Sequence, residues 1–163
     1  MAVSAIDALL QNARAEAGGF RKGDLPARPA KGLAIVTCMD ARIDGHRIRG
    51  WAEGDAHVIR NAGGVVTADV IRSLVISQRL LGTREIMRIQ PTDGGMLTFR
   101  DDDLKDRIEA EVGMRPPFAF EAFRDLEENI RQSIRRLRAS PFLPHKDGIR
   151  SFDVRTGQLR EVI

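Results

Sequence analysis

A doubly wound α/β domain built on a parallel sheet is the fold this sequence predicts, and three short runs predict it. Leu33-Ala34-Ile35-Val36-Thr37, His57-Val58-Ile59-Arg60 and Glu85-Ile86-Met87-Arg88-Ile89 are brief and rich in β-branched residues, as strands covered on both faces are. Between the last two, Val70, Leu74, Ile76, Leu80 and Leu81 recur at helical spacing, with Thr67 as the cap and Gly82 as the stop. A short helix over 43–50 separates the first two. Strand, helix, strand, helix, strand is the order that lays strands side by side in one parallel sheet.

The flanking segments complete one domain over 1–163. Residues 3–17 place Ile6, Leu9, Leu10 and Ala13 on one helical face, and Gly18-Gly19 ends that helix. Its apolar stripe needs a surface to lie on, and is consistent with residues 1–30 forming an arm that reaches a second copy of the chain. Residues 23–29 hold two prolines and no periodicity, and read as a loop. Asp101 to Val112 reads as a helix whose first turn holds three aspartates, where the helix dipole favours negative charge. The spacing of those acids does not match a calcium loop. A longer helix is expected over 120–139. The tail, 150–154 and 158–162 joined through Thr156-Gly157, reads as a terminal hairpin.

Composition excludes several classes of function. A formal charge of +3 from 26 basic and 23 acidic residues is a small surplus spread along the chain, so a nucleic-acid partner is not implied. The densest basic stretch, Arg131 to Arg138, lies inside the long helical pattern without interleaved aromatic residues. It reads as a solvated helix face. One cysteine excludes an internal disulfide and any metal cage built of cysteine alone. With no leader-like segment and no apolar run of about 18 residues, the expectation is a cytoplasmic protein without membrane contact.

Ligands of open parallel sheets bind beyond the carboxyl ends of the strands, where loops and helix N-termini converge. Three loops qualify: Cys38-Met39-Asp40-Ala41-Arg42 after the first strand, Asn61-Ala62-Gly63-Gly64 after the second, and Gln90-Pro91-Thr92-Asp93-Gly94-Gly95 after the third. Each has polar groups, or glycine where the backbone turns sharply, so a shared polar pocket is expected.

These residues resemble the β-class carbonic anhydrases. The likeness rests on Cys38-Met39-Asp40-Ala41-Arg42, on His57-Val58-Ile59-Arg60-Asn61-Ala62-Gly63 and on Thr92-Asp93-Gly94-Gly95-Met96-Leu97-Thr98-Phe99. It extends over 69–74 and 80–86 and covers the chain from about Lys31 to the terminal hairpin. It implies a parallel sheet flanked by helices, with an N-terminal helix and a C-terminal hairpin. It also implies a homodimer or larger homo-oligomer whose pocket lies at the interface. In that family zinc is held by a cysteine in the first loop and a His-x-x-Cys pair in the third, and an aspartate two residues after the first cysteine ligates zinc or pairs with a nearby arginine. Cys38, Asp40 and Arg42 take three of these places, but Pro91 and Gly94 stand where the histidine and second cysteine fall. His57 matches a histidine that is not a ligand in the family.

A catalytic zinc generally takes three protein ligands, so the expectation from sequence is a chain without zinc or other cofactor and without carbon dioxide hydration, since no metal lowers the pKa of a water. What remains suggests a metal-independent lyase or hydrolase for a small carboxylate or CO2-like substrate. Asp40 would be general acid or base, Arg42 its orienter or an anion clamp, Asp93 a second acid, and Cys38 a nucleophile or a packed apolar residue. Asn61, Ala62, Gly63, Gly64, Thr92, Gly94 and Gly95 would line the substrate space, through backbone N–H groups or simply by permitting close approach. Two other readings stay open: a non-catalytic anion- or bicarbonate-binding regulator, and a carbonic anhydrase with a remodelled metal site.

Overall fold

The computed structural model describes residues 4–19, 21–43, 51–154 and 158–162. Five strands, β1 (Leu33–Cys38), β2 (Ala56–Asn61), β3 (Glu85–Pro91), β4 (Ile149–Val154) and β5 (Leu159–Val162), form one sheet in the order β2-β1-β3-β4-β5. The first four are parallel and β5 runs antiparallel against β4. β1 is therefore central, and the chain leaves it first toward β2 and later toward β3. Such a reversal of direction is where open sheets bind ligands, here beyond the carboxyl ends of β1 and β3.

Burial follows from that order. Every residue of β1 from Ala34 to Cys38 is buried, whereas the edge strand β2 has none fully buried. The expected strands are each found, and β3 runs two residues past Ile89 to Pro91. Helix α2 (Ala68–Arg79) starts where Thr67 caps it, the Thr67 side chain accepting from Val70 N–H, and Gly82 turns the chain back with φ +74°. Its Val70 and Leu74 pack with Ala34, Val36, Val66, Ile86, Leu137, Leu143 and Ile149 in the main core. Helix α1 (Ala5–Glu16), capped by Ser4, has no buried residue; Ile6 and Leu9 are 70% and 66% exposed. The short helix expected over 43–50 and the turn at Thr156-Gly157 lie outside the described residues. Among the described residues no helix is long and apolar enough to cross a membrane.

Helix α3 (Asp101–Val112) has the expected bounds, but the last helix, α4 (Leu126–Ala139), begins six residues later than its periodicity predicts. The reason is Asp101. Its carboxylate accepts from the backbone N–H groups of Phe120 (2.8 Å), Glu121 (3.1 Å) and Ala122 (2.8 Å), which satisfies that segment without a helical turn. Glu121 takes a left-handed conformation, φ 60°, to present these donors. The helix starts only at Asp125, whose side chain caps Glu128 N–H. Burial alone would raise the Asp101 pKa, but the three N–H donors outweigh it and hold the carboxyl below its ordinary value. Replacing it leaves three donors without their acceptor. Asp101→Ala is expected to cost about 2–4 kcal/mol in urea unfolding, and Asp101→Asn to lose stability selectively above about pH 4, where only the wild type is charged.

Candidate functional site

The first loop is bound to its neighbours by backbone as much as by side chain. Met39 N–H donates to the Asn61 carbonyl at 2.8 Å, continuing the β1–β2 pairing past Cys38. Arg60, from the end of β2, donates through Nε to the Cys38 carbonyl (3.1 Å) and through Nη2 to the Asp40 carbonyl (2.9 Å). A single guanidinium therefore spans the loop and fixes its path.

Asp40 and Arg42 close on each other in the fork geometry that their spacing allows. Arg42 Nε donates to Oδ1 at 3.0 Å and Nη2 to Oδ2 at 2.7 Å, while the Arg42 backbone N–H donates to Oδ1 at 2.9 Å. Arg42 Nη2 also reaches the Asp93 carbonyl at 3.2 Å, joining the first and third loops. The side-chain hydrogen bonds from Arg42 are the main reason the Asp40 carboxyl sits far below its ordinary range, lowered to about 2. Asp40 is therefore a fixed carboxylate at neutral pH. It cannot serve as a general acid in this arrangement, and its lone pairs become available to a proton only when Arg42 turns elsewhere. The Arg42 side chain is 70% exposed against 15% for Asp40, so the arginine is the partner open to solvent.

The second loop shapes the floor and spends its polar groups internally. Asn61 Nδ2 donates to the Val65 carbonyl (2.9 Å) and its Oδ1 accepts from Val65 N–H (3.0 Å). The amide expected to face a substrate is thus used to close its own loop. Gly63 and Gly64 both have positive φ, and a Cβ on Gly64 would lie 3.0 Å from Cys38 N and from Thr37 C. Close approach is one role that Gly64 fills, because only a bare Cα lets this loop press on β1. Ala62 is exposed beside them.

Behind the floor lies a polar layer that the sequence pattern does not reveal. Arg88 Nε donates to the Gly64 carbonyl (2.9 Å), Gln90 Nε2 donates to the Gly63 carbonyl (2.5 Å), and both side chains donate to Asn129 Oδ1 on α4. Arg88 is fully buried and desolvation pushes its pKa down to about 9, still high enough to keep it charged at neutral pH. An alternating strand pattern would place such a residue at the surface; its partners lie 24 and 41 positions away.

Cys38 is buried, and its Sγ accepts from Asp40 N–H at 3.4 Å. A thiol so enclosed matches the packed residue rather than the exposed nucleophile. In the third loop Thr92 is half-buried with its Oγ1 unpartnered, Asp93 is exposed, and Gly94 is buried against Pro91. A Cβ on Gly95 would meet nothing within 4 Å, so space does open there. His57 is occupied at both ring nitrogens, by Ser77 Oγ (2.8 Å) and the Ala27 carbonyl (2.9 Å), as befits a structural histidine. His46 lies outside the described residues.

Comparison with known proteins fits this geometry to a family. The chain is 57% identical over 148 residues to beta-carbonic anhydrase 1 of Mycobacterium tuberculosis, covering 90% of each chain. The chain belongs to the β-carbonic anhydrase family. Carbonic anhydrase from Streptococcus mutans superposes with a TM-score of 0.92 at 38% identity over the whole of both chains. A carbon disulfide hydrolase of Acidithiobacillus thiooxidans is 32% identical over 152 residues, covering 78% of this chain and 75% of that one. No protein-family model matches the chain.

Membership corrects the expectation of a chain without a cofactor. Its near relatives are beta-carbonic anhydrases, a family of zinc enzymes in which the metal acidifies a bound water, and two missing donors do not amount to a missing cofactor. The donors themselves are plain. Cys38 Sγ and the carboxylates of Asp40 and Asp93 are those the loops provide, Pro91 and Gly94 add none, and among the described residues no three His, Cys, Asp or Glu side chains are grouped to hold a metal. The donors among the described residues thus fall short of the three that a catalytic zinc takes.

The Asp40–Arg42 pair makes a direct prediction for pH. Asp40 is depressed in the folded state, so its contribution to loop order is complete above about pH 4, its unfolded value, and is lost as pH falls through about 2. Carboxyl-detected NMR should show the Asp40 midpoint near that low value in the wild type and a return toward about 4 in Arg42→Ala. An unchanged midpoint in the variant would remove Arg42 as the cause.

Proposed function

We propose that this chain is an enzyme of the β-carbonic anhydrase family that acts on a small carboxylate or CO2-like group in a pocket of Asp40, Arg42 and Asp93. The observation that supports it most is the fork between Asp40 and Arg42 at the crevice beyond β1 and β3, with the arginine largely exposed. A guanidinium already placed in bidentate geometry is suited to take a planar carboxylate or bicarbonate in the same way. An incoming anion that draws Arg42 away leaves Asp40 free to accept a proton, so binding and base release are one event. Asp93, exposed beside them, adds negative charge that stabilises the Arg42 cation and is the second carboxylate of the pocket. Relatives named carbon disulfide hydrolase support the CO2-like class, because CS2 and CO2 are both linear molecules with an electrophilic carbon.

In this reading Asp40→Ala removes turnover of CO2 or CS2 by about 100-fold or more while bicarbonate binding stays within a few-fold, whereas Arg42→Ala weakens bicarbonate binding by about tenfold or more. Stopped-flow assays with both substrates and calorimetry with bicarbonate separate the two effects, and metal content measured on the same samples assigns zinc its share. A wild type that binds bicarbonate and turns over neither substrate would favour the anion-binding regulator.

Residues 1–30 complete the proposal as the arm of a homodimer. The stripe of Ile6, Leu9 and Leu10 is bare on α1, and Met39, next to the site, is 65% exposed. Covering both at once is what a second copy with two-fold symmetry would do. Light scattering after gel filtration should find a dimer for the wild type and a shift toward monomer for Ile6→Glu/Leu9→Glu; a variant that stays dimeric at micromolar concentration would move the interface elsewhere.

A further inference from the structure

Among the described residues two apolar faces lie bare. The first is on α1, where Ile6, Leu9, Leu10 and Ala13 fall at i, i+3, i+4 and i+7 and no residue of the helix is buried. A helix of 12 residues standing alone is marginal in water, so the stripe requires cover. The second is a groove of about 680 Å³ along the outer side of α2. Ile71, Val75 and Ile76 form one wall; Ala139, Pro141 and Phe142, at the end of α4 and beyond it, form the other. Arg79 Nε donates to the Phe142 carbonyl at 2.9 Å and ties the two walls together. No residue of α1 lines this groove.

The arm that carries α1 is rooted on its own edge strand. Lys22 Nζ meets Glu53 at 2.6 Å, His57 Nε2 lies 2.9 Å from the Ala27 carbonyl, and the N–H groups of Ala30 and Lys31 donate to the carbonyls of Gly54 and Asp55. These partners belong to β2 or to the turn before it, and β2 is an edge of the sheet. The root is thus fixed at that edge, while α1, about 18 Å long, stays clear of its own core.

Shape and charge match the two faces. An amphipathic helix enters a groove through anchors at i, i+3, i+4 and i+7, the spacing of the α1 stripe, and Ala5 and Ala8 beside it keep the helix narrow. The groove is rimmed by Arg72, Arg79 and Arg136 and has no acidic residue in its lining. Arg72 and Arg136 pair with Asp69 and Glu121, which stand outside it. α1 brings Asp7 and Glu16 against the single Arg14, so the charges are complementary.

We propose that the groove along α2 is the seat of α1 from a second copy, so that two copies exchange their arms about a two-fold axis. The inference rests on the homodimer reading of the arm and adds the surface that receives it.

The test uses the full chain with the photo-crosslinker benzoylphenylalanine in place of Leu9. Irradiation should give a covalent dimer on a denaturing gel, with residue 9 of one copy joined to residues 68–79 or 139–142 of the other by mass spectrometry. A covalent dimer joined at any other segment would overturn the seat and leave the homodimer standing. Crosslinks within single chains of a protein that light scattering finds monomeric would overturn both. Ile76→Glu/Phe142→Glu, which changes exposed groove residues alone, should weaken dimerisation by about tenfold or more. Mixed with Ile6→Glu/Leu9→Glu it should regain dimers, because the mixed pair keeps one intact arm and groove where each variant alone keeps none. A groove variant as dimeric as the wild type, or a mixture no more dimeric than its parts, would also overturn the seat.

Discussion

The contact on which the site depends is the close approach of Gly64 to β1. With its Cα against the Thr37–Cys38 backbone and its carbonyl held by Arg88 Nε at 2.9 Å, this residue joins the second loop to the first and both to the polar layer under β3. A side chain at Gly64 would push the loops apart at the point where Cys38 turns into Asp40. Arg60 works on the same joint from above, holding the carbonyls of Cys38 and Asp40. The Asp40–Arg42 fork is thus built on a backbone that has little freedom to move.

That rigidity explains why the Arg42 side chain is the part of the pair free to respond. The Asp40 carboxylate accepts from the Arg42 backbone as well as from its guanidinium, so it stays in place when the side chain leaves. The exposed arginine pays only a modest penalty to change partners, since ion pairs open to water contribute little net stability. In the proposed function, binding of an anion and release of a base are linked through this one side chain.

Much of this was legible in the sequence, for reasons that differ by element. β1, β2 and α2 follow from local patterns: a β-branched run, a cap at Thr67 and a stop at Gly82. The fork was legible because two residues of opposite charge stand two apart in a loop. The start of α4 was not, because the Asp101 side chain that unwinds residues 120–122 is about twenty positions distant. Arg88, Gln90 and Asn129 were missed for the same reason, as their burial is decided by carbonyls and an amide from other elements. The internal hydrogen bonds of Asn61 and the burial of Cys38 were not legible, because a residue type does not tell whether its polar atoms are already engaged.

In the proposed function the Arg42 fork, and not merely its positive charge, receives the anion. Binding of carbon-13 bicarbonate to the wild type and to Arg42→Lys, followed by NMR, tests it most directly, since lysine keeps the charge and loses the second donor of the fork. Arg42→Lys is expected to bind about tenfold or more weakly. Equal binding by the two proteins would contradict it.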